Sequence, residues 1–495
     1  MIATTTPFPE KQSSWLFNCL KNNETSYYGQ LYGFNKIDTL QAYIERVPLI
    51  DYETIAPYIQ RIAKGEKDLL FRGEPAAFEI TGGSSGGGKL IPYTDESFLD
   101  FQRAVLPWFG LIAQRYGISG KAAYWSISPA LNRSDKTESG MKIGVSDAAY
   151  LGEEAGSALE SGMVVPSWVG ALHDVKEWQL ATLYWLVRCR ELELVSVWSP
   201  TFLLMLLDVL DARHEEIKSL LIKGGKIAGH TVEPDSQAVK RLELYVQKKS
   251  TACLWPELKL ISCWQDASSA HFSQRLRHRF PGVAFQPKGL ISTEGVVTMP
   301  DAEDMPLLSA DSGFYEFLDA DGGVHLPQDL VQGEHYEVVM TTSAGLYRYK
   351  TGDVVKYEGV KNKLPILRFT GRNGNVSDMV GEKLTDAFVR EAFDLQSFMM
   401  LVADDNDYPH YVLVGDTEAV IEKVIEIETN LRQNPQYAYA RTVGQLGDLE
   451  PVVVNNVMRL YIDYKTSSGS RVGDIKIPAL QTDHEWLKII KEVTA

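Results

Sequence analysis

The stretch Phe78-Glu79-Ile80-Thr81-Gly82-Gly83-Ser84-Ser85-Gly86-Gly87-Gly88-Lys89-Leu90-Ile91-Pro92-Tyr93-Thr94 constrains this chain more than any other. Five glycines, two serines, a threonine and a lysine lie between two short apolar runs. Glycine lets the backbone approach a ligand closely and take positive φ. Successive N–H groups of such a loop form a concave nest for an anion. The hydroxyls of Thr81, Ser84 and Ser85 add donors, and Lys89 adds a point charge. The simplest ligand is a polyphosphate. A flexible glycine-rich surface loop is the bland alternative, since short motifs have a high false-positive rate.

Three functional readings compete for the loop. Gly83 to Gly88 and Lys89 fit the G-x-x-x-x-G-K of a P-loop, but Leu90 stands where Ser or Thr must hold Mg²⁺. Gly82-Gly83-Ser84-Ser85-Gly86 spells the G-x-S-x-G of a hydrolase elbow, which needs a helix directly after the serine. Here Gly86 to Gly88 delay any helix, and Pro92 precedes Thr94, the first good N-cap. The run also resembles the Ser/Thr/Gly-rich loop, closed by Lys, with which adenylate-forming enzymes wrap the β- and γ-phosphates of ATP. That reading fits best.

At 495 residues the chain has room for two to four domains. Its 44% hydrophobic and 23% charged content is that of a soluble globular protein. A net charge of −16 argues against nucleic acid as a partner. The N-terminal residues show no basic and apolar regions of a signal peptide. The strongest apolar run, Phe202 to Leu207, is cut by Asp208 and is too short to span a bilayer, so no membrane partner is expected. Cys19, Cys189, Cys253 and Cys263 are scattered with no C-x-x-C pair, which points to buried free thiols. A cytoplasmic location is expected.

Residues 10–65 read as helices with short breaks. Tyr52, Ile55, Tyr58, Ile59 and Ile62 recur at helical spacing, as core positions do. A helix is predicted from Asp95 to Tyr116, kinked or divided at Pro107. Residues 122–129 read as a buried strand, and 132–163 as irregular. A helix over 175–191, a strand over 194–198, a helix opened by Ser199-Pro200, a strand over 258–264, a helix over 268–280 and an extended stretch from Val283 follow. Helices alternating with buried strands argue for α/β layers with a substantially parallel sheet. From Gly313 the pattern changes to strands separated by turns, at 314–317, 336–340, 346–349 and 354–357. The expected fold is α/β. A large N-terminal domain, 1–370, carries mixed and parallel sheets and a β subdomain. A hinge at 371–375 precedes a small, mobile α+β C-terminal domain, 376–495.

Two further stretches give the glycine loop company. In Gln286-Pro287-Lys288-Gly289-Leu290-Ile291-Ser292-Thr293-Glu294-Gly295 a turn presents Thr293 and Glu294. A carboxylate beside a triphosphate suits Mg²⁺, which takes one or two carboxylates plus phosphate oxygens. Read alone, Glu294 is equally a solvated turn residue. In Tyr347-Arg348-Tyr349-Lys350-Thr351-Gly352-Asp353, an Asp at a strand start after a Gly turn can accept from both ribose hydroxyls. Read alone, Thr-Gly-Asp is an ordinary turn.

The three stretches match, in order and spacing, the signatures of the adenylate-forming superfamily that includes acyl-CoA synthetases and firefly luciferase. The turn at Gly371-Arg372 resembles that superfamily's hinge, although Gly374 or Asn375 stands where the usual aspartate would be. Tyr124-Trp125-Ser126-Ile127-Ser128-Pro129, Trp198-Ser199-Pro200-Thr201-Phe202-Leu203, Trp255 to Trp264, Phe280-Pro281-Gly282-Val283, Lys288 to Gly295 and Val380-Gly381-Glu382-Lys383-Leu384 resemble bacterial members of the auxin-responsive Gretchen Hagen family. The resemblance covers nearly the whole chain.

That resemblance implies roles residue by residue. Thr81, Ser84, Ser85, Gly86 and Lys89 hold phosphates, with Thr293 beside them. Glu294 binds Mg²⁺ or orients the adenylate. Asp353 holds the ribose, and Lys383 reaches AMP from beyond the hinge. Lys476, in Gly473-Asp474-Ile475-Lys476-Ile477-Pro478, resembles the C-terminal lysine that assists adenylation; an exposed strand lysine is its bland reading. Trp125, Ser126 and Trp264 are candidates to line the acyl pocket, or plain core. The implied activity is that of a ligase: an ATP-dependent acyl-acid amido synthetase. It would adenylate a small carboxylic acid and pass the acyl group to an amine, expected to be an amino acid, releasing AMP and pyrophosphate. ATP and Mg²⁺ are the implied cofactors, and the resemblance leans towards a monomer. An acyl-CoA ligase is the nearest alternative, and a non-catalytic nucleotide or acyl-acid binding protein the alternative of another class.

Overall fold

Four short apolar runs build the parallel sheet that the sequence predicts. The computed structural model describes residues 8–80, 89–126, 136–145, 147–267, 269–372, 376–377, 379, 382, 384–393, 398–404, 409–442 and 446–494. Strands Ala123–Trp125, Leu194–Ser196, Leu260–Ser262 and Ala284–Gln286 lie side by side in that order, all parallel. The first three are buried along their whole length, which is why they read as apolar runs rather than alternating ones. Helices Val175–Arg188 and Pro200–Lys223 share a core with them through Trp178, Phe202, Leu206, Val195 and Ile261. Ser199 caps the second helix by accepting from the Thr201 N–H, and Pro200 occupies its first turn.

Two expectations from the sequence are corrected here. Of the two outcomes expected at Pro107, division is overturned: the helix Asp95–Tyr116 runs through it as one element. Proline removes one backbone bond, but buried Ala104, Val105, Trp108 and Ile112 hold both halves against the same core. The stretch over 132–163 is partly helical, with Asp147–Tyr150 and Glu153–Gly162. Two of its glutamates, Glu153 and Glu154, sit at a helix N-terminus, where negative charge is favoured. The end of the strand expected to reach residue 129 lies outside the described residues beyond Ser126.

The β subdomain is a seven-stranded antiparallel sheet. Its order is Thr298–Pro300, Pro306–Leu308, Leu364–Arg372, Tyr349–Lys361, His335–Thr341, Phe314–Leu318 and Val324–His325. The N-terminal helices cover it: Leu16, Tyr43 and Ile59 share a core with Phe314, Val338 and Leu367. The separate strands expected on either side of Thr351-Gly352-Asp353 are one strand of 13 residues, Tyr349–Lys361. The tripeptide is a bulge within it. Pairing steps from Val339 opposite Lys350 to Glu337 opposite Val354, Gly352 takes φ +76°, and the Thr351 hydroxyl donates to Val338 O at 2.9 Å.

The last part of the chain forms its own four-stranded mixed sheet, in the order Glu450–Val453, His410–Gly415, Met399–Asp404, Leu480–Gln481. Helices Ala419–Leu431, Val457–Ser467 and His484–Thr494 accompany it, as expected for an α+β unit. It rests on the N-terminal part through Phe398, whose ring centroid is 5.7 Å from that of Phe272. All four cysteines are free; burial pushes the thiols of Cys19 and Cys263 up to about 12. Among the described residues no helix is long and apolar enough to cross a membrane.

Candidate active site

A cavity of about 670 Å³ opens over the carboxyl ends of the parallel strands, where open α/β sheets place their ligands. Its walls come from the sheets of the N-terminal part and, in the C-terminal part, from residues 470–478 together with Asp386, Arg390, Tyr461, Lys465 and Gln481. Of the residues singled out from the sequence, Lys89, Trp125, Trp264, Thr293, Glu294, Asp353 and Lys476 all line it. Ser126 follows Trp125 but is not part of the lining; its backbone N–H donates to Ser196 O at 2.9 Å. Thr81, Ser84, Ser85, Gly86 and Lys383 lie outside the described residues, as do Gly374 and Asn375. Ile80 and Lys89, which bracket the glycine segment, both stand at the cavity.

Thr293 and Glu294 form the two-residue tip of a hairpin between Ile291–Ser292 and Gly295–Val296. The hydroxyl of Tyr93 donates to Thr293 O at 2.5 Å and so ties the tip to strand Leu90–Tyr93. The Glu294 side chain is buried against this wall. Gly289, at the start of the segment, takes φ +76°, and a Cβ there would meet Thr298 O at 2.3 Å. Gly289→Ala should therefore destabilise the fold by about 1–3 kcal/mol, read from the urea midpoint.

Asp353 is buried, and its carboxylate stands 3.0 Å from Nε of Arg372. The Arg372 Nη2 also donates to Thr351 O at 2.7 Å. The charge of Asp353 raises the Arg372 pKa above its ordinary value. Asp353 Oδ1 is buried and meets Arg372 as an ion pair without making a hydrogen bond. Arg372 is no part of a turn: it ends strand Leu364–Arg372, directly opposite Asp353. The sequence held a usable signal for this. Counting outward from the hairpin turn at 362–363 puts 372 across from 353. No comparable signal marks Tyr93, whose role depends on a carbonyl 200 positions away. Tyr52, taken as core from its spacing, also lines the cavity; the Lys89 ammonium lies 5.3 Å from its ring centroid.

Lys476 lines the cavity from a loop rather than a strand, and its side chain is exposed there. Its Nζ lies 5.1 Å from the Trp264 ring and 5.7 Å from that of Phe369. Desolvation lowers its pKa below the ordinary lysine value; Asp353 and Glu294 pull it back up, and Arg372 pushes it further down. Glu79, also in the lining, accepts from the Val145 N–H at 2.7 Å, and burial raises its pKa. Among the described residues no group of three or more His, Cys, Asp or Glu could enclose a metal. One carboxylate, Glu294, fits only an ion whose remaining ligands come from substrate oxygens and water, which is the way Mg²⁺ accompanies phosphates.

The arrangement can seat an anion among Lys89, Arg372 and Lys476, with an acceptor at Asp353 and an aromatic chamber beside it. Comparison with known proteins gives this class of site a family. The GH3 family N-terminal, central and C-terminal domain models match residues 2–285, 307–372 and 375–485. The chain belongs to the GH3, or Gretchen Hagen, family. It is similar to indole-3-acetic acid-amido synthetase GH3.4 of Arabidopsis thaliana, at 23% identity over 94% of this chain and 88% of that one. It is similar also to jasmonoyl–L-amino acid synthetase JAR6 of Nicotiana attenuata, at 24% identity over 94% and 90%. The AtGH3.15 acyl acid amido synthetase in complex with 2,4-DB shares its fold, with TM-score 0.87, 22% identity and coverage of 99% and 94%. A 2-hydroxyisobutyryl-CoA ligase with bound adenylate shares it more loosely, at TM-score 0.58, 13% identity and coverage of 99% and 93%.

Proposed function

We propose that the chain is an ATP-dependent acyl-acid amido synthetase. The single observation that carries this is the convergence of Lys89, Glu294, Asp353, Arg372 and Lys476 on one cavity in a GH3 family chain. A carboxylate is a poor nucleophile towards the α-phosphate, because like charges meet. Lys476 and Lys89 lower that repulsion by standing where charge develops on the leaving pyrophosphate. Asp353 accepts from the ribose hydroxyls, and Arg372 holds Asp353 in place. Glu294, with Thr293 at its side, would hold Mg²⁺, which when bound neutralises phosphate charge. The acyl-adenylate is then attacked by an amine, giving an amide and AMP. No covalent enzyme intermediate is needed, and much of the rate comes from positioning. Thr81, Ser84, Ser85, Gly86 and Lys383 complete the phosphate and AMP contacts in this reading, and Trp125 and Trp264 wall the acyl group. The division into 1–370, a hinge at 371–375 and a mobile 376–495 is part of the proposal. The change of domain model between 372 and 375 supports it.

The test is a panel of small carboxylic acids assayed for pyrophosphate release, followed by amino acids or CoA added to the preformed adenylate. Amide with AMP is expected. Thioester without amide would make the chain an acyl-CoA ligase, a reading that the looser fold match keeps in view. No pyrophosphate with any acid would make it a binding protein. Glu294→Gln should raise the Mg²⁺ concentration for half-maximal pyrophosphate release at least about 10-fold.

A further inference from the structure

Lys476 stands on a short connection, residues 475–479, between the turn Val472–Asp474 and the two-residue strand Leu480–Gln481. Buried Ile475 and Ile477 pin its immediate neighbours to the core. Two further contacts hold the backbone on its C-terminal side. One belongs to the sheet: the Leu401 N–H donates to Ala479 O at 2.7 Å. The other comes from a side chain. Pro478 has no N–H, so the next two donors along the chain are those of Ala479 and Leu480. Both go to a single oxygen, Asp386 Oδ1, at 2.6 and 2.9 Å. The second oxygen, Oδ2, accepts from Arg390 Nη2 at 2.5 Å, one helical turn further on. Asp386 is buried, and both it and Arg390 belong to the cavity lining.

This carboxylate reaches the loop from the side of the proposed hinge. It opens the helix Asp386–Ala392, whose start lies on the end of strand Leu364–Arg372. A Cβ at Gly371 would meet the Cβ of Ala387 at 3.3 Å, so strand and helix touch there with little room between them. The next strand residue, Arg372, is ion-paired with Asp353. The contacts form an unbroken series along the cavity wall. Asp353 meets Arg372, Gly371 meets Ala387, and Asp386 meets Ala479 and Leu480, three and four positions after Lys476. The placement of the lysine relative to Asp353 thus has a route through one buried carboxylate.

We propose that Asp386 is a positioning residue for adenylation: by holding the backbone at 479–480 it sets where the ammonium of Lys476 stands in the cavity. This rests on the reading of Lys476 as an adenylation lysine. Asp386 does not touch the reacting atoms; it acts through the loop, and Arg390 orients its carboxylate.

The experiment uses the full-length chain and the variants Asp386→Ala, Asp386→Asn, Lys476→Met and Asp386→Ala with Lys476→Met. Hydrogen exchange, read by mass spectrometry on peptides spanning 476–482, reports the hold without any substrate. In Asp386→Ala it should be at least about 10-fold faster there and unchanged over Met399–Asp404. Pyrophosphate release at saturating acid and ATP should slow at least about 10-fold, because a small misplacement of a charged group is costly. The KM for the acid should move less than about 2-fold. In the Lys476→Met background, Asp386→Ala should change the rate less than about 2-fold, since there is no ammonium left to misplace. Asp386→Asn keeps an oxygen at Oδ1 and should recover most of both the protection and the rate. Unchanged exchange at 476–482 overturns the proposal, and so does exchange that rises throughout the C-terminal part. Losses that add in the double variant overturn it as well, since Asp386 would then act otherwise than through Lys476. So does an Asn variant no better than Ala. A Lys476→Met variant with full activity would defeat the reading of Lys476 itself, whatever the exchange shows. Slow Lys476→Met beside a fully active Asp386→Ala would defeat the positioning role alone.

Discussion

Replacing Lys476 by methionine should slow pyrophosphate release by about 10²–10³-fold while changing acid binding little. The lysine is one of several charged residues that the C-terminal part brings to the cavity, beside Arg471 and Asp474. Its ammonium is held against Trp264 and Phe369 by van der Waals and cation–π contact. Such a group adds little to a ground-state complex that already contains Lys89 and Arg372. In the proposed mechanism it acts when negative charge builds on the leaving pyrophosphate. The pH profile gives an independent readout. Desolvation lowers the Lys476 pKa, so the proton that makes it useful is lost at lower pH than for an ordinary lysine. The rate in the unmodified protein should therefore fall as pH rises through that lowered value. In Lys476→Met this alkaline limb should be absent. A Met variant with an unchanged rate and an unchanged alkaline limb would remove Lys476 from the adenylation step.

The second large effect concerns stability. Arg348 is buried, at φ +51°, and its guanidinium meets the Glu316 carboxylate at 2.9–3.1 Å. Its Nη1 also donates to Ile44 O and Val47 O, both at 2.8 Å. One side chain therefore joins the end of helix Leu40–Arg46 to the sheet and to the start of the strand that carries Asp353. Arg348→Met leaves a buried carboxylate without its cation and should cost about 3–5 kcal/mol in chemical denaturation. Burial raises the Glu316 pKa, and the Arg348 charge opposes that rise. Without the arginine, the raised folded-state pKa makes the protonated form the stable one. The variant should then recover stability as pH falls and lose it as pH rises through that value. Pairing it with Glu316→Leu should restore most of the loss, since a buried ion pair replaced by apolar groups is often neutral. A double variant as unstable as the single one would show that the backbone conformation, not the charge, is what Arg348 maintains.

Local rules reached most of the architecture. The 95–116 and 200–223 helices were legible because their caps, Thr94 and Ser199, are local signals. The parallel strands were legible because burial on both faces leaves an unbroken apolar run. What failed did so where tertiary contacts override a local rule. Thr351-Gly352-Asp353 has turn composition, yet strands on both sides keep it in the ladder as a bulge. Of the site, charged residues in glycine-rich contexts stood out, as Lys89, Glu294 and Asp353 did. Lys288 lay within a quoted motif without drawing notice, because nothing in the sequence says which residues surround a lysine. It lines the cavity against Trp108, Trp125 and Trp198, which are 180, 163 and 90 positions away. Arg372 was noticed, but as a turn residue, because its partner is defined only by the register of the hairpin.

That hairpin has a mechanical side. Arg372 is the last described residue before position 376, and its side chain is tied back to Asp353 and Thr351. If the proposed hinge swivels there, what lies beyond it is anchored to the wall that would face the sugar of the nucleotide. An occupant that engages Asp353 would compete for, or tighten, the clasp on the proposed hinge. If the proposed hinge at 371–375 moves, substrate occupancy and the position of residues 376–495 would be geared through the Arg372–Asp353 contact.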